Sequence, residues 1–458
     1  MKTRVKNIHF TGIGGIGMSG IAELLHNQKF HVQGSDAADS PNVQRLRDLG
    51  IPIVIGHSAE AIKGVDVVVV TSAVNDKNPE IVAAHQQGIP VIPRAEMLAE
   101  LMRMKQGIAI AGSHGKTTIT SMIAHGMEVA GLDPTYVIGG CLMVSGSNAR
   151  LGASPWLVAE ADESDGSFLH LSPTMTVVSN IDPEHLDHYG DFEHLMMAFE
   201  QFVNQTPFYG CVVLHHEHPN VARLRDKIHK RITTYGQSPQ ADIHLLNSRP
   251  DGHSQHISIG FYGEKDVKQV HLPMPGVHNA ENALAAIAIL RELNITWADI
   301  QQGLESFAGI QRRFQCVDVG NGILVDDYAH HPKELQTTLE AAKTCWDERN
   351  ITVFFQPHRY SRTRDLMDEF MGCFDLCHAL HILPIYAASE ESIEGVTSHA
   401  LQQGMLKRGH RHVNLCSGLE EAEMLSKQAL QQGDVVLLLG AGSIGHLAAQ
   451  LRQDLVDS

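Results

Sequence analysis

Seven consecutive residues have the types and spacing of a loop that binds phosphate groups. They are Gly112, Ser113, His114, Gly115, Lys116, Thr117 and Thr118, and they stand between an apolar run and a helix-length segment. In such a loop the backbone N–H groups cradle phosphates, the lysine reaches the β and γ phosphates, and a threonine hydroxyl ligates Mg²⁺. Ile110 replaces the first glycine of the usual spacing. We predict an ATP site here, with a nucleotide sensor that lacks catalysis as the main alternative.

A second glycine-rich loop lies close to the first residue of the sequence. Its glycines are Gly12, Gly14, Gly15 and Gly17. Asp36 follows a strand-like run, nineteen residues beyond Gly17. Glycines allow a tight turn against a diphosphate at a helix N-terminus, and an acid at about this distance can hold a ribose hydroxyl. The loop alone leaves three interpretations open: a dinucleotide, another nucleoside diphosphate, or a structural turn.

Acidic residues that follow the apolar run WLVA are candidates for metal binding. They are Glu160, Asp162, Glu163 and Asp165. Mg²⁺ is needed at the carboxyl end of a strand beside the phosphate loop, because the metal bridges the nucleotide phosphates. Glu160 is our first choice because it directly follows the apolar run. A solvated acidic loop is the simpler interpretation of Asp165, and the two interpretations are balanced for Asp162 and Glu163.

Two polar motifs in the middle of the chain add further candidates. His185, in the segment NIDPEHLDH, is flanked by acids and is a candidate second metal ligand, although a loop histidine is more often a surface residue. Asn279 and Asn282 lie three residues apart and so share one helical face. Their amides match the N6 and N7 edge of adenine, and helix capping is the alternative for Asn279.

Two motifs in the last third of the chain combine acids, histidines and arginines. The motif DDYAHHP contains Asp327, Tyr328 and His330, and the motif HRYSRTR contains His358, Arg359 and Arg362. Guanidinium groups pair bidentately with carboxylates and phosphates, so three arginines within six residues of an acidic chain indicate anion recognition. A late motif, GAGSIG, has no acid at the right distance after it and is interpreted as a structural turn.

These motifs mostly follow short β-branched runs and precede helix-length segments. That alternation is typical of βαβ units and a parallel sheet. We therefore predict an α/β protein of three domains. Residues 1–105 form a Rossmann-like domain, residues 106–313 a P-loop ATPase-like domain with a mainly parallel sheet, and residues 314–458 a second Rossmann-like domain.

The charge balance and the apolar pattern exclude several classes of function. The chain has 458 residues, with 35 Lys and Arg against 52 Asp and Glu, and a formal net charge of −17. Nucleic acid and anionic membranes are repelled by such a charge, so we expect neither as a partner. No apolar run reaches the roughly 18–20 residues that cross a bilayer, and the start lacks a secretory leader, so we expect a cytoplasmic protein. The seven cysteines form no C-x-x-C pair, which argues against a zinc ribbon or disulfide framework.

Taken together, the motifs resemble those of the Mur ligases of bacterial cell-wall synthesis. The segments that carry the resemblance are HFTGIGGIGMSGIAE, GSHGKTT, EADESD, NIDPEHLDHYGD, HNAENALAA, GIQRRF, DDYAHHP and HRYSRT. The resemblance implies that the first domain binds a UDP-sugar instead of NAD, the second binds ATP, and the third binds an amino acid. The first and last segments indicate the family member that joins L-alanine to the lactyl carboxylate of UDP-N-acetylmuramate. The reaction would pass through an acyl phosphate and a tetrahedral intermediate and release ADP and phosphate.

The resemblance also implies a role for each matching residue. The UDP-sugar would contact Gly12, Gly14, Gly15, Gly17, Met18, Ser35, Asp36 and Ser72. ATP would contact the seven loop residues from Gly112 to Thr118, with Asn279 and Asn282 at adenine, Asp327 at the ribose and Arg313 at a phosphate. Thr117 and Glu160 would hold one Mg²⁺, and His185 a second. The amino acid would contact Tyr328, His330, Arg359 and Arg362. The catalytic residues would be Lys116, His330, His358 and Arg359.

One position departs from the family pattern. Several sister ligases carry a carbamylated lysine that helps to hold the second Mg²⁺, and the aligned residue here is Phe199, followed by Glu200. Two alternative activities stay open: a sister ligase that adds a preformed peptide to the same sugar, and an NAD-dependent oxidoreductase. We expect ATP and Mg²⁺ as cofactors, and a monomer or weak homodimer.

Overall fold

The computed structural model describes residues 4–71, 74–140, 143, 148–388 and 390–456. These residues form three sheets of five, ten and six strands, each flanked by helices and mainly parallel. The predicted three-domain α/β architecture is confirmed. Among the described helices, none has the length and the apolar composition that crossing a membrane requires.

The N-terminal sheet has a Rossmann-like strand order. Its strands are β1 (Asn7–Thr11), β2 (His31–Asp36), β3 (Ile53–Ile55), β4 (Val67–Val70) and β5 (Val91–Pro93), and its helices are α1 (Ile16–Asn27), α2 (Pro41–Asp48), α3 (Pro79–Gln87) and α4 (Arg94–Arg103). The order is β3-β2-β1-β4-β5, with every neighbouring pair parallel. The first glycine loop joins β1 to α1, at the carboxyl end of the central strand. In open parallel sheets ligands bind at this edge.

The middle sheet is the largest of the three. Its strands are β6 (Gln106–Ala111), β7 (Thr135–Val137), β8 (Ala149–Arg150), β9 (Trp156–Glu160), β10 (Met175–Val178), β11 (Cys211–His215), β12 (Ile232–Gly236), β13 (Ile243–Asp251), β14 (Ser254–Phe261) and β15 (Lys268–Leu272). Its helices are α5 (Lys116–Val129), α6 (Leu186–Tyr189), α7 (Phe192–Asn204), α8 (Pro219–Arg225), α9 (Val277–Glu292) and α10 (Trp297–Glu305). The order is β15-β14-β13-β12-β11-β10-β6-β9-β7-β8. Strand β6 is parallel to both β9 and β10, so the segments that follow these three strands meet at one edge.

The C-terminal sheet repeats the parallel pattern. Its strands are β16 (Gln315–Val319), β17 (Gly322–Asp327), β18 (Ile351–Phe355), β19 (Ala379–Ile382), β20 (Val413–Leu415) and β21 (Val435–Leu439). Its helices are α11 (Pro332–Cys345), α12 (Tyr360–Asp365), α13 (Met367–Phe370), α14 (Ser398–Lys407), α15 (Leu419–Gln431) and α16 (Ile444–Val456). The order is β16-β17-β21-β18-β19-β20, and only β16 is antiparallel to its neighbour among the pairs described. Strand β21 lies between β17 and β18, the strands that lead into the DDYAHHP and HRYSRTR motifs. The GAGSIG segment follows β21.

Tertiary contacts divide the chain into two compact units. One comprises Met1–Leu246, Ser258–Val270 and Glu281–Ala308, and the other comprises Asn247–Ile257, His271–Ala280 and Gly309–Ser458. The boundary predicted after residue 105 falls directly before β6. The boundary predicted after residue 313 falls close to the start of the last segment of the second unit. The ends of the three domains stay predictions.

Three phenylalanine rings form part of the core beside α7. Phe168, Phe199 and Phe202 have at most 1% exposed surface. The ring centroid of Phe168 lies 5.3 Å from that of Phe199, edge to face, and 4.8 Å from that of Phe202, stacked. Phe199 is the residue for which the resemblance implies a lysine in several sister ligases. Here its side chain packs in the core and offers no ligand atom to a metal.

We predict that Phe199→Ala lowers the free energy of unfolding by about 3–5 kcal/mol, because a buried aromatic ring is replaced by a cavity. Urea unfolding followed by circular dichroism measures the change. Met197→Ala on the same helix is the matched control, since Met197 is 60% exposed and its replacement should cost under about 0.5 kcal/mol. Equal effects of the two substitutions would contradict the packing described here.

Candidate active site

The glycines of the phosphate loop lie in backbone conformations and surroundings that exclude a side chain. Gly112 has a φ angle of 129°, and Gly115, which precedes α5, has a φ angle of 85°. A Cβ atom at Gly112 would overlap Ser179 Oγ, and one at Gly115 would lie 2.6 Å from Asn282 Oδ1. Only glycine adopts such angles without strain. The loop therefore enters α5 as anion-binding loops do, with the helix N-terminus directed at the ligand.

Residues that follow β10 hold this loop in place. Asn180 Oδ1 accepts the N–H of His114 at 2.7 Å, and Asn180 Nδ2 donates to the carbonyl of His114 at 3.1 Å. Ser179 Oγ donates to the same carbonyl at 2.6 Å, and the N–H of Asp182 donates to Ser113 Oγ at 2.9 Å. Asn180 is the first residue of the segment NIDPEHLDHYGD, but the sequence predicts no role for it, and Ser179 lies outside the quoted motifs. Their role follows from the pairing of β10 with β6, which motifs along the chain do not show.

Lys116 is paired with a buried carboxylate. Its Nζ lies 2.8 and 3.0 Å from the two carboxylate oxygens of Glu163 and donates to the carbonyl of Gly112 at 2.6 Å. The two side chains are 17% and 2% exposed. Burial disfavours the charged ammonium, but Glu163 and Asp162 more than offset it, so the pKa of Lys116 is raised. Lys116 therefore stays protonated beside the loop.

One cleft of about 640 Å³ opens to both glycine loops. Its lining includes Gly15, Gly17 and Met18 from the first loop. It also includes Lys116 at the start of α5, Glu160 at the end of β9, and Asp162 just after β9. Arg94 also lines it, at the start of α4, with Nη2 3.7 Å from Asp162 Oδ2. Arg94 and Lys116 are the two cations among the described lining residues. No motif points to Arg94, because it begins an ordinary helix far from either loop in sequence.

The predicted metal ligands differ in position. Glu160, the last residue of β9, is partly exposed in the cleft and accepts the N–H of Gly139 at 2.6 Å. Thr117 lies in the first turn of α5. Hydroxyl and carboxylate oxygens are the donors that Mg²⁺ prefers, so this pair suits the ion. His185 precedes α6 with a φ angle of 57°, its Nε2 lies 3.8 Å from Glu184 Oε2, and it lies outside the described lining of the cleft.

The first glycine loop is closed onto β2 by hydrogen bonds. The N–H of Gly12 donates to the carbonyl of Ser35 at 2.8 Å. The N–H of Gly14 donates to Asp36 Oδ2, also at 2.8 Å. The carboxylate expected to hold a ribose hydroxyl is therefore engaged with the backbone of the loop itself. Ser72, a further predicted contact, lies outside the described residues.

The two asparagines predicted to bind adenine have different surroundings. Asn282 packs against the phosphate loop at Gly115, as the close approach of its Oδ1 shows. Asn279 is 3% exposed, and its Nδ2 donates to the carbonyl of Pro275 at 2.7 Å, next to the first turn of α9. That hydrogen bond agrees with a structural role at the start of the helix. Contact of either residue with adenine stays a prediction.

In the second unit, the end of β17 brings together three predicted residues. The Asp327 carboxylate accepts the N–H groups of Phe314 and Ala329, both at 2.7 Å. Burial raises the pKa of Asp327 to about 6, although Arg313 and these N–H groups favour its ionised form. The Arg313 guanidinium lies 5.5 Å from the ring centroid of Tyr328. Arg313, Asp327 and Tyr328 therefore form one cluster.

The predicted histidines of the second unit also lie together. The ring centroids of His330 and His358 are 5.9 Å apart, and His358 stacks on Tyr386 at 5.6 Å. Arg362 Nη1 lies 3.3 Å from His358 Nδ1. The N–H of Arg359, whose φ angle is 70°, donates to the carbonyl of Tyr386 at 2.8 Å. Tyr386 belongs to no motif and joins the cluster only through the fold.

The environment keeps both histidines neutral near neutral pH. Burial lowers the pKa of His358 to about 4, and the positive charges of Arg362 and Arg359 add to the effect. Burial also lowers the pKa of His330, against the opposing influence of Glu334. Neutral imidazoles can accept a proton, which is the state that a general base requires.

Comparison with known proteins agrees with this organisation. The family models for the Mur ligase catalytic domain, the Mur ligase middle domain and the Mur ligase glutamate ligase domain match residues 7–106, 110–290 and 312–442. The UDP-N-acetylmuramate--L-alanine ligase of Brucella anthropi is 48% identical, over 100% of this chain and 99% of the relative. The enzyme of the same name from Halorhodospira halophila is 50% identical, over 98% and 93%.

Solved structures show the same likeness. The UDP-N-acetylmuramate-alanine ligase of Thermotoga maritima has a TM-score of 0.84 and 30% identity, with 99% of each chain covered. A murein peptide ligase from Psychrobacter arcticus shares the fold, with a TM-score of 0.73 and 24% identity over 99% of each chain. The chain belongs to the Mur ligase family.

We predict that Asn180→Ala raises the KM for ATP about tenfold, because two hydrogen bonds that hold the phosphate loop at His114 are lost. The KM for the sugar substrate should stay within about twofold. Asn204→Ala is the control, since the amide of Asn204 bonds backbone carbonyls at the end of α7. Steady-state kinetics measures both KM values, and an unchanged KM for ATP would contradict the prediction.

A second prediction concerns acid stability. Burial gives His358 a folded-state pKa of about 4, below the ordinary histidine pKa of 6.5, so the unfolded chain binds the proton first. Its contribution to stability is complete above pH 6.5 and is lost as the pH falls towards 4. We expect the melting temperature of His358→Gln to fall less over this interval than that of the wild type. The exposed His399, replaced by Gln, serves as the control, and it should follow the wild type.

Proposed function

We propose that this chain joins L-alanine to the lactyl carboxylate of UDP-N-acetylmuramate, with conversion of ATP to ADP and phosphate, in the synthesis of peptidoglycan precursors. The full-length likeness to enzymes named UDP-N-acetylmuramate--L-alanine ligase supports this activity. The observation that carries it is the single cleft open to both glycine loops, since a UDP-sugar and ATP must meet for phosphate transfer. We also propose a cytoplasmic location and a monomeric or weakly dimeric state.

In the first step the lactyl carboxylate attacks the γ phosphate of ATP, the bond to the β–γ bridging oxygen breaks, and an acyl phosphate and ADP form. The protein contributes alignment and charge neutralisation, which are the main components of phosphoryl transfer catalysis. Lys116 supplies a permanent positive charge beside the phosphate loop, and Glu163 keeps it in place. Arg94 lies between the two loops and is the residue we assign to the sugar diphosphate.

Thr117 and Glu160 are the residues that would hold Mg²⁺. The ion supplies charge neutralisation at the phosphates when it is bound. Phe199 leaves the second predicted metal position with His185 and without the lysine of the sister ligases. We therefore propose that one Mg²⁺ is firmly held. We assign Asp327 to the ribose of the nucleotide and Arg313 to one of its phosphates.

In the second step the amine of L-alanine attacks the acyl carbonyl, a tetrahedral intermediate forms, and phosphate leaves. We assign the carboxylate of alanine to Arg359 and Arg362, and proton removal from the amine to His330. We prefer His330 because Glu334 Oε2 lies 3.6 Å from its Nδ1 and favours the protonated ring. The charges of Arg362 and Arg359, in contrast, oppose protonation of His358. Its Nδ1 instead lies beside Arg362 and helps to orient that guanidinium.

The decisive experiment measures phosphate release from ATP and Mg²⁺ with UDP-N-acetylmuramate and a panel of acceptors. The panel contains L-alanine, L-serine, glycine, D-alanine and a preformed peptide with a free N-terminal L-alanine. We expect L-alanine to give the highest kcat/KM. Release that depends on the peptide alone would identify a sister ligase, and no release with any acceptor would overturn the proposal.

We predict that Lys116→Ala lowers kcat at least about a hundredfold in this assay, because a charge that acts on the transferring phosphate is removed. Lys77→Ala is the matched control, since Lys77 is exposed in the same unit. Its kcat should equal that of the wild type. Full activity of Lys116→Ala would overturn the assignment of the phosphate loop.

A further inference from the structure

Glu80 is a buried carboxylate that no motif and no role given above explains. It is the second residue of α3 and has 0% exposed surface. Its Oε2 accepts the hydroxyls of Thr11 and Ser35, each at 2.8 Å, and lies 3.0 Å from His9 Nε2. Its Oε1 lies 3.6 Å from His57 Nδ1. One side chain therefore gathers polar groups from three separate segments of the N-terminal domain: β1, β2 and the segment around His57.

The partners of Glu80 adjoin the first glycine loop. Thr11 is the last residue of β1 and directly precedes Gly12. Ser35 lies on β2, and its carbonyl accepts the N–H of Gly12 at 2.8 Å. The Ser35 hydroxyl also lies 2.9 Å from His57 Nδ1. The same carboxylate oxygen is thus bonded to the strand that enters the loop and to the strand on which the loop backbone rests.

Packing alone does not require a charge at this position. A buried carboxylate is costly to desolvate, and apolar side chains of similar volume often replace buried polar networks without loss of stability. Burial favours the neutral acid, but His9, Ser35 and Thr11 more than compensate, so the pKa of Glu80 is lowered. Directional hydrogen bonds to an ionised group fix the positions of Thr11 and Ser35. Apolar packing would restrict these positions less.

We propose that Glu80 is a positioning residue for the UDP-sugar site: through Thr11 and Ser35 it holds the first glycine loop in the geometry that receives the diphosphate. The identity of that ligand rests on the proposed function. The phosphate loop at Gly112 has its own support from Asn180, so Glu80 acts on one substrate and leaves ATP unaffected.

Glu80→Gln tests this role, with Glu60→Gln as the matched control because Glu60 is an exposed acid of the same domain. Calorimetry measures the Kd of UDP, and steady-state kinetics measures the KM of each substrate and kcat. We expect Glu80→Gln to raise the Kd of UDP and the KM of UDP-N-acetylmuramate roughly tenfold, the effect of losing a hydrogen bond to a charged group. The KM for ATP and kcat should stay within about twofold, and Glu60→Gln should match the wild type.

Thr11→Val keeps the test available if Glu80→Gln does not fold, as judged by circular dichroism. Thr11 has 0% exposed surface and is absent from the predicted sugar contacts, and among the described residues its hydroxyl bonds Glu80. We expect a smaller rise in the Kd of UDP, about threefold. An unchanged Kd in the variants that fold, or equal rises in the KM of both substrates, would overturn the positioning role.

The two proposals fail in different ways. Binding of UDP needs no catalysis, so the calorimetric comparison stands even if the wild type releases no phosphate with any acceptor. That outcome would overturn the proposed ligase activity alone. A wild type that binds no UDP would overturn both proposals.

Discussion

The ion pair between Lys116 and Glu163 is the interaction on which the cleft depends. The chain has a net charge of −17, and the substrates we assign to it are polyanions. An ammonium group that is largely buried tends to lose its proton unless an opposite charge lies next to it. Glu163 is 2% exposed and bonds that ammonium through both oxygens. Arg94 is the second cation among the described residues of the cleft, and backbone N–H groups and helix N-termini attract phosphate without adding net charge.

Motifs with local geometry could be predicted from the sequence. The glycines at 112 and 115, Lys116 and Glu160 act within one turn or at one strand end, so their order along the chain already contains the geometry. Asn180, Arg94 and Tyr386 could not be predicted in this way. Each reaches its partners because of strand order or helix docking; β10 lies beside β6 although Asn180 and His114 are 66 residues apart. Asp36 differs from these residues, because it belongs to a motif. The motif did not show that the carboxylate of Asp36 accepts the N–H of Gly14.

The two glycine loops are supported by different chemistry. The Asn180 amide and the Ser179 hydroxyl after β10 hold the phosphate loop, whereas the carboxylate of Glu80, through Thr11 and Ser35, supports the first loop. Neutral donors and acceptors suit a loop that already lies beside several acids. The first loop has an ionised support whose charge is compensated by the hydroxyls of Thr11 and Ser35 and by His9. In the second unit, burial and neighbouring arginines lower the pKa of His330 and His358 and so favour their neutral forms.

The close packing around the glycines limits how the cleft can change under drug selection. A Cβ atom at Gly14 would lie 2.7 Å from Val43. At Gly112 it would overlap Ser179. An inhibitor that spans both loops and contacts mainly these glycines would meet few tolerated resistance substitutions, because the replacements that could block the compound also distort the loops that bind the substrates.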